Sequence, residues 1–165
     1  MKNGKILFAI IFLIVHNKLH AQFTNWEYIP SDKQILAIDF DRYSNMIMGG
    51  QYTGVIEFKP DGTHQLYNRT NTEYQFLNIY DIDVDSNDVY IGTQGGVVKK
   101  TNNKFISTLK ANTVNDILID KNKTLWAGTE NEGLKKFENG ITVSFNTSNS
   151  GIAGDKITAL KQDKF

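Results

Sequence analysis

One cadence is written three times into this chain: "MIMGGQYTGVIEF" at 46–58, "VYIGTQGGVVKK" at 89–100 and "LWAGTENEGLKKF" at 125–137. In each copy a short apolar run ends on a glycine, Gly49, Gly92 or Gly128, and a second glycine, Gly54, Gly96 or Gly133, precedes another short strand-like run. Ahead of the three copies stand "ILAIDFDRYSN", "IYDIDVDSND" and "VNDILIDKNKT", and a fourth such start, "ITALKQDKF", closes the sequence. The aspartates that end these leading runs are Asp41, Asp85, Asp120 and Asp163, at spacings of 44, 35 and 43 residues. A period of this length marks a repeat architecture, in which one supersecondary unit buries its apolar surface only against its neighbours.

Each repeat reads as four short strands. Ile38 and Phe40, Ile82 and Val84, and Ile117 and Ile119 alternate at period two, as a strand packed between two layers requires. The polar stretches "DRYSN", "DSND" and "DKNKT" reverse the chain, because Asp and Asn bond their own backbone and tolerate turn geometry. A second strand follows in "MIM", "VYI" or "LWA", a third in "VIEF", "VVKK" or "LKKF", and a fourth in "HQLY", "KFIST" or "ITVSF". Both glycines of each copy are expected where the backbone turns sharply or packs closely. Four antiparallel strands per 35 to 44 residues make one propeller blade. The predicted fold is all-β, with blades of four antiparallel strands, about three and a half blades and an incomplete ring. The repeats lie near 35–78, 79–113 and 114–156, with the start of a fourth at 157–165.

The first 21 residues stand apart. Lys2 and Lys5 make a basic start, Ile6 to Val15 is an unbroken run of ten apolar residues, and "KLHAQ" then turns polar around Ala21. This pattern is a secretory signal peptide, too short in its apolar run to span a bilayer, which takes roughly 20 residues. Cleavage near Ala21 leaves a partial propeller over 22–165 and removes Lys2, Lys5 and Lys18, so that 15 basic residues face 18 acidic ones. Such a balance does not draw a protein to nucleic acid. The sequence has no cysteine, which excludes disulfides, thiolate metal sites, cysteine nucleophiles and the lipid-bearing cysteine of a lipoprotein.

Candidate chemistry is sparse. Asp83, Asp85 and Asn87 have the alternate spacing of a calcium loop, but Asp88 and Gln94 stand where its glycine and bidentate glutamate belong, so a hairpin turn is expected. His64, in a "PDGTH" turn, is the only histidine beyond the signal segment and reads as a surface residue. Glu132 reads as part of a solvated strand edge. The triplets at Asn68, Asn122 and Asn146 fit glycan acceptors, which matter only in a eukaryotic source. With no nucleophile elbow, phosphate loop or histidine pair, the chain is not read as an enzyme, and neither a cofactor nor a metal is expected.

The run "VNDILIDKNKTLWAGTENEGLKKFENGITVSFNTSNSGIAGDKITALKQD" resembles the two-component regulator propeller repeat, with its aspartate, turn, "LWxGT", "GGL" and aromatic strand. The second copy keeps "YIGT" and "GGV", the first drifts to "IMGG" and "TGV", and the linker "GIAGDKI" lacks the family's proline. The resemblance covers roughly Trp26 onward and makes Trp126 a blade wedge, a structural residue. It implies an exported sensory region at the amino-terminal side of a hybrid two-component regulator, in the periplasm or at the cell surface of a Gram-negative bacterium. In such regulators a membrane span and a histidine kinase follow, and several detect oligosaccharides. The alternative is a propeller scaffold of a secretion or cell-surface system, without signalling. Propellers bind at loops around the channel mouth, which points to the linkers "NTEYQFLN" and "NSGIAGD", with Tyr74 and Phe76 as stacking surfaces if they do not pack between blades. An unclosed ring is expected to associate, either with itself or with the remainder of a longer sensor.

Overall fold

The computed structural model describes residues 34–74 and 78–163. The signal segment, Trp26 and Phe76 lie outside the described residues. Twelve strands form three separate four-stranded antiparallel sheets, each a plain meander. The first holds β1 (Ile35–Phe40), β2 (Met46–Gly50), β3 (Val55–Phe58) and β4 (His64–Tyr67). The second holds β5 (Ile79–Asp85), β6 (Asp88–Thr93), β7 (Gly96–Thr101) and β8 (Lys104–Lys110). The third holds β9 (Val114–Ile119), β10 (Leu125–Thr129), β11 (Leu134–Glu138) and β12 (Ile141–Phe145). These are three blades stacked face to face, as the repeat pattern predicts.

Local chemistry fixes each reversal. Asp41 accepts the backbone N–H of Tyr43 and Asn45 at 2.8 and 2.9 Å, and Asp120 accepts those of Asn122 and Thr124 at 2.8 and 2.9 Å. These are Asx turns, in which the side chain stands in for a backbone acceptor. The second blade turns more tightly: Asp85 pairs with Asp88 across a two-residue hairpin in which Ser86 takes φ 62°. Asp85 is engaged by the Lys123 ammonium of the next blade. The stretch read as a failed calcium loop is therefore a hairpin tied by an ion pair.

Two apolar seams hold the blades together. Ala37, Ile47 and Val55 of the first sheet meet Ile79, Ile82, Val89, Ile91, Val98 and Phe105 of the second. Val97 and Leu109, on the far side of the second sheet, meet Val114, Ile117, Leu125 and Ala127 of the third. Equivalent positions show what a seam does. Ile82 and Ile117 are each 5% exposed, whereas Ile38, their counterpart on the leading face of the first blade, is 54% exposed. Burial here comes from the neighbouring blade, not from the sheet's own fold.

The two glycines of the cadence have different jobs. A Cβ at Gly49 would stand 2.6 Å from Cγ2 of Ile79; at Gly92 it would meet Val114 at 3.2 Å; at Gly128 it would meet Ile157 at 2.6 Å. Ile79 and Val114 are the first residues of β5 and β9, and Ile157 opens the segment that takes the equivalent place after the third sheet. The first glycine is thus a socket for the following blade. The second glycine is a backbone requirement: Gly133 adopts φ 76°, and a Cβ there would lie 2.1 Å from the carbonyl oxygen of Phe145.

Residues 157–163 repeat this docking without entering a named strand. The Ile157 N–H donates to the carbonyl of Thr129 at 2.9 Å, and the Lys121 N–H donates to Gln162 Oε1 at 3.1 Å. The segment takes the place beside β9 and β10 that β5 takes beside β1 and β2.

Candidate functional site

The innermost strands β1, β5 and β9 lie side by side, and their alternation sends Ile82 and Ile117 into the seams while every second residue points the other way. Those second positions carry Asp39, Asp81, Asp83 and Asp116. Each carboxylate reaches the inner segment that follows its own sheet. Asp39 accepts the Val84 N–H at 2.8 Å, Asp81 that of Ile117 at 2.8 Å, and Asp83 that of Ile119 at 2.6 Å. Asp116 accepts the N–H of Leu160. Strands of different sheets cannot ladder with one another here, so aspartate side chains supply the acceptors that a neighbouring strand would otherwise provide.

Bringing these carboxylates together changes their acidity. Burial pushes the Asp81 carboxyl up to about 7, against the pull of the Ile117 N–H, with the Asp116 carboxyl adding charge and a hydrogen bond in the same upward direction. Asp83 is also raised, first by burial and then by the charge of Asp39, opposed by the Ile119 N–H. Perturbed carboxyls are a common mark of a functional site, but interlocking structural groups produce them too. Among the described residues, no three metal-ligating side chains stand close enough together to hold an ion.

A second feature lies on the trailing face of the third sheet. A groove of about 310 Å³ runs between that sheet and the 157–163 segment, lined by Leu118, Asp120, Trp126, Leu134, Leu160, Lys161 and Gln162. The Trp126 indole N–H donates to Asp120 Oδ2 at 2.9 Å, its ring stacks on Phe145 at 6.2 Å, and the Lys136 ammonium lies 5.8 Å from its centroid. The sequence made Trp126 a wedge, yet it is only half-buried. Its counterpart Ile47 is 1% exposed in the first seam, whereas Tyr90, at the same position of the second blade, is half-buried with the third blade packed against it.

Of the two aromatics singled out for ligand stacking, Tyr74 sits between blades. Its ring meets Phe105 at 6.0 Å and its hydroxyl accepts the Ser107 N–H at 2.6 Å. The linker "NSGIAGD" folds back on its own blade: Asp155 accepts the Thr147 N–H at 2.7 Å, and its carbonyl accepts that of Gly133 at 2.8 Å. Asn68 and Asn146, noted as glycan triplets, build the same corner twice. The Asn68 N–H donates to Asn71 Oδ1, and that of Asn146 to Asn149 Oδ1, each at 2.8 Å. Glu132 accepts the Asn112 N–H at 3.2 Å and pairs with Lys135 at 2.9 Å.

The inner-strand acids were missed by sequence reasoning, although a signal was present. "DFD" and "DIDVD" place charge at alternate positions of a strand expected to be covered on both faces. Only the closing aspartates, those that make or end the turns, were given a role.

Residues 108–131 match the family model described as Two component regulator propeller. Among solved structures, the chain is similar to the extracellular domain assigned to the hybrid two component system BT4673 of B. thetaiotaomicron, at TM-score 0.68 and 19% identity over 82% of this chain and 20% of that one. It is also similar to PorZ, a surface component of the type-IX secretion system of Porphyromonas gingivalis, at TM-score 0.62 and 19% identity over 76% of this chain and 23% of that one. A computationally designed protein, Ika4, aligns at TM-score 0.63 and 16% identity over 81% of this chain and 82% of that one. No curated protein matches. The chain spans about a fifth of the BT4673 extracellular domain. The family match covers residues of one repeat, and the three described sheets have the fold of propeller blades.

Proposed function

We propose that this chain, which carries two component regulator propeller repeats, is an exported ligand-sensing module, the amino-terminal part of a regulator that responds to an oligosaccharide-type ligand. The observation that supports this reading most directly is the match of residues 108–131, since that repeat is named for such regulators. The likeness to the BT4673 extracellular domain agrees in fold and in cellular side. Export rests on Lys2, Lys5 and the Ile6 to Val15 run. The function proposed is recognition rather than catalysis.

The test has two arms. In cells, an epitope-tagged chain is fractionated and its amino terminus sequenced; a periplasmic or surface product beginning near Gln22 is expected, and a cytoplasmic product that retains Met1 refutes export. On purified full chain, thermal shift against a panel of neutral and acidic oligosaccharides reads binding directly, because a ligand that binds only the folded form raises the melting point. A second reading has its own support in the likeness to PorZ: a scaffold of a surface or secretion system. Co-purification with envelope components, with no melting shift from any oligosaccharide, favours the scaffold.

A further inference from the structure

We propose that a side-chain cap closes the outer edge of each described blade against strand addition, and that the cap on the third blade, the amide of Asn149, keeps β12 from pairing with the β12 of a second copy of this chain. The argument is independent of the function proposed above. β4, β8 and β12 are the outermost strands of their sheets, so each pairs on one side only. Alternate residues of such a strand turn their N–H and C=O outward, a template on which another strand can form.

The hairpins set which residues turn outward. Glu138 and Ile141 close a two-residue turn in which Asn139 and Gly140 take φ 51° and 80°, so these two form a hydrogen-bonded pair. Lys136 and Val143 form the next such pair, which leaves Thr142 and Ser144 pointing away from β11. Asn149 Nδ2 donates to the Ser144 carbonyl at 2.9 Å. On the first blade Asn71 Nδ2 donates to the Leu66 carbonyl at 2.7 Å. On the second the Ser107 N–H is taken instead, by the Tyr74 hydroxyl at 2.6 Å. Leu66, Ser107 and Ser144 are equivalent, because each aligns through the third strand with the residue just before the socket glycine, Met48, Ile91 or Ala127. One position is thus capped on all three described outer strands, by a carboxamide twice and a phenol once.

The cap matters most on β12. Its residues Ile141–Phe145 carry no charge and no proline, and Ile141 and Val143 are 66% and 45% exposed. β4 is only four residues long, and β8 begins and ends on Lys104 and Lys110, which an antiparallel copy centred on Ser107 would set against each other. The same operation on β12 opposes no charge. Centred on Val143, it sets Ile141 opposite Phe145 of the second copy and joins Thr142 to Ser144 of that copy by reciprocal hydrogen bonds, one of which needs the Ser144 carbonyl. That carbonyl is the acceptor Asn149 occupies. Asn149 is itself fixed, since its Oδ1 accepts the Asn146 N–H at 2.8 Å and its own N–H donates to the Asn146 carbonyl at 3.2 Å.

The experiment compares self-association of the full chain and of Asn149→Ala by size-exclusion chromatography with light scattering over a concentration series. Each β12 pairing uses two freed carbonyls, one from each copy, so the variant is expected to associate about tenfold more tightly than the parent, or more. The Thr142 and Ser144 amides are expected to gain protection from hydrogen exchange as it does so. Adding Val143→Lys sets two ammonium groups against each other on the pairing axis and is expected to return association to the parent's level. A folded Asn149→Ala variant that associates no more tightly than the parent, or whose association survives Val143→Lys, overturns the proposal. If Asn149→Ala does not fold, the side-chain amide of Asn149 in the parent decides: hydrogen exchange slower than that of the exposed Asn139 amide supports the cap, and equal exchange refutes it.

Discussion

Replacing Gly49 by alanine inserts a single methyl group into the socket that receives Ile79. That methyl would lie 2.6 Å from Cγ2, 2.9 Å from Cβ and 2.9 Å from Cδ1 of a side chain that is fully buried. Cβ is the branch point of the isoleucine, so no rotamer change moves it away, and the two blades must separate or tilt. Overpacking of this kind costs about 1–3 kcal/mol. Ile79→Ala alone empties the socket and should cost about 2–5 kcal/mol. In the double variant the new methyl occupies part of the space the isoleucine vacates, so the combined loss should fall short of the sum by about 1 kcal/mol or more. Urea unfolding of the parent, both single variants and the double variant measures this coupling directly. Strict additivity, or a Gly49→Ala variant as stable as the parent, would show that Gly49 is not a socket and that the first glycine of the cadence serves some other purpose.

Gly54→Ala should behave differently. Its φ of 76° and the 2.2 Å approach to the Tyr67 carbonyl are backbone constraints, so trimming a neighbouring side chain should not rescue it in the same unfolding assay. Lys100 is buried beside Glu57 at 2.6 Å with its ammonium 4.9 Å from the Tyr67 centroid; Lys100→Ala strands the carboxylate and should cost about 3–5 kcal/mol, whereas Lys100→Met paired with Glu57→Gln should recover much of it. Trp126→Phe loses the hydrogen bond to Asp120, a loss of about 0.5–1.5 kcal/mol in thermal unfolding; a loss above about 3 kcal/mol would mean the indole is far better covered than its half-buried position indicates.

The parts of this fold legible in the sequence are those written in local code. Alternation at Ile82 and Val84, the Asx turns at Asp41 and Asp120 and the recurring glycines placed each strand, since every one of these signals concerns residues a few positions apart. What stayed hidden depends on contacts between repeats. The pairing of Gly49 with Ile79 joins residues 30 apart, and nothing at either position names the other. Asp81 and Ile117 lie 36 apart, and a carboxylate that accepts a backbone N–H from another sheet has no one-dimensional signature. The half-buried state of Trp126 was hidden for the same reason: its motif specifies the residue, but its cover comes from whatever lies against the blade. Ligand recognition is less legible still, because the linkers picked out for it are engaged in corners and inter-blade packing wherever the structure describes them.

The socket also bears on how such arrays can be rearranged. From Gly49 to Ile79 is 30 residues, from Gly92 to Val114 is 22, and from Gly128 to Ile157 is 29, so the intervening chain stretches and shrinks while the match between hole and knob persists. A gene duplication or laboratory shuffle that cuts between sheets parts each glycine from the branched side chain made to fill it. A cut in the first hairpin of a blade, such as the Asp85–Asp88 turn, keeps both on one piece. For these contacts the heritable module is out of phase with the visible one: it starts at a second strand and finishes on the first strand of the following blade. Chimeras joined at that phase are expected to express and fold where chimeras joined between sheets do not.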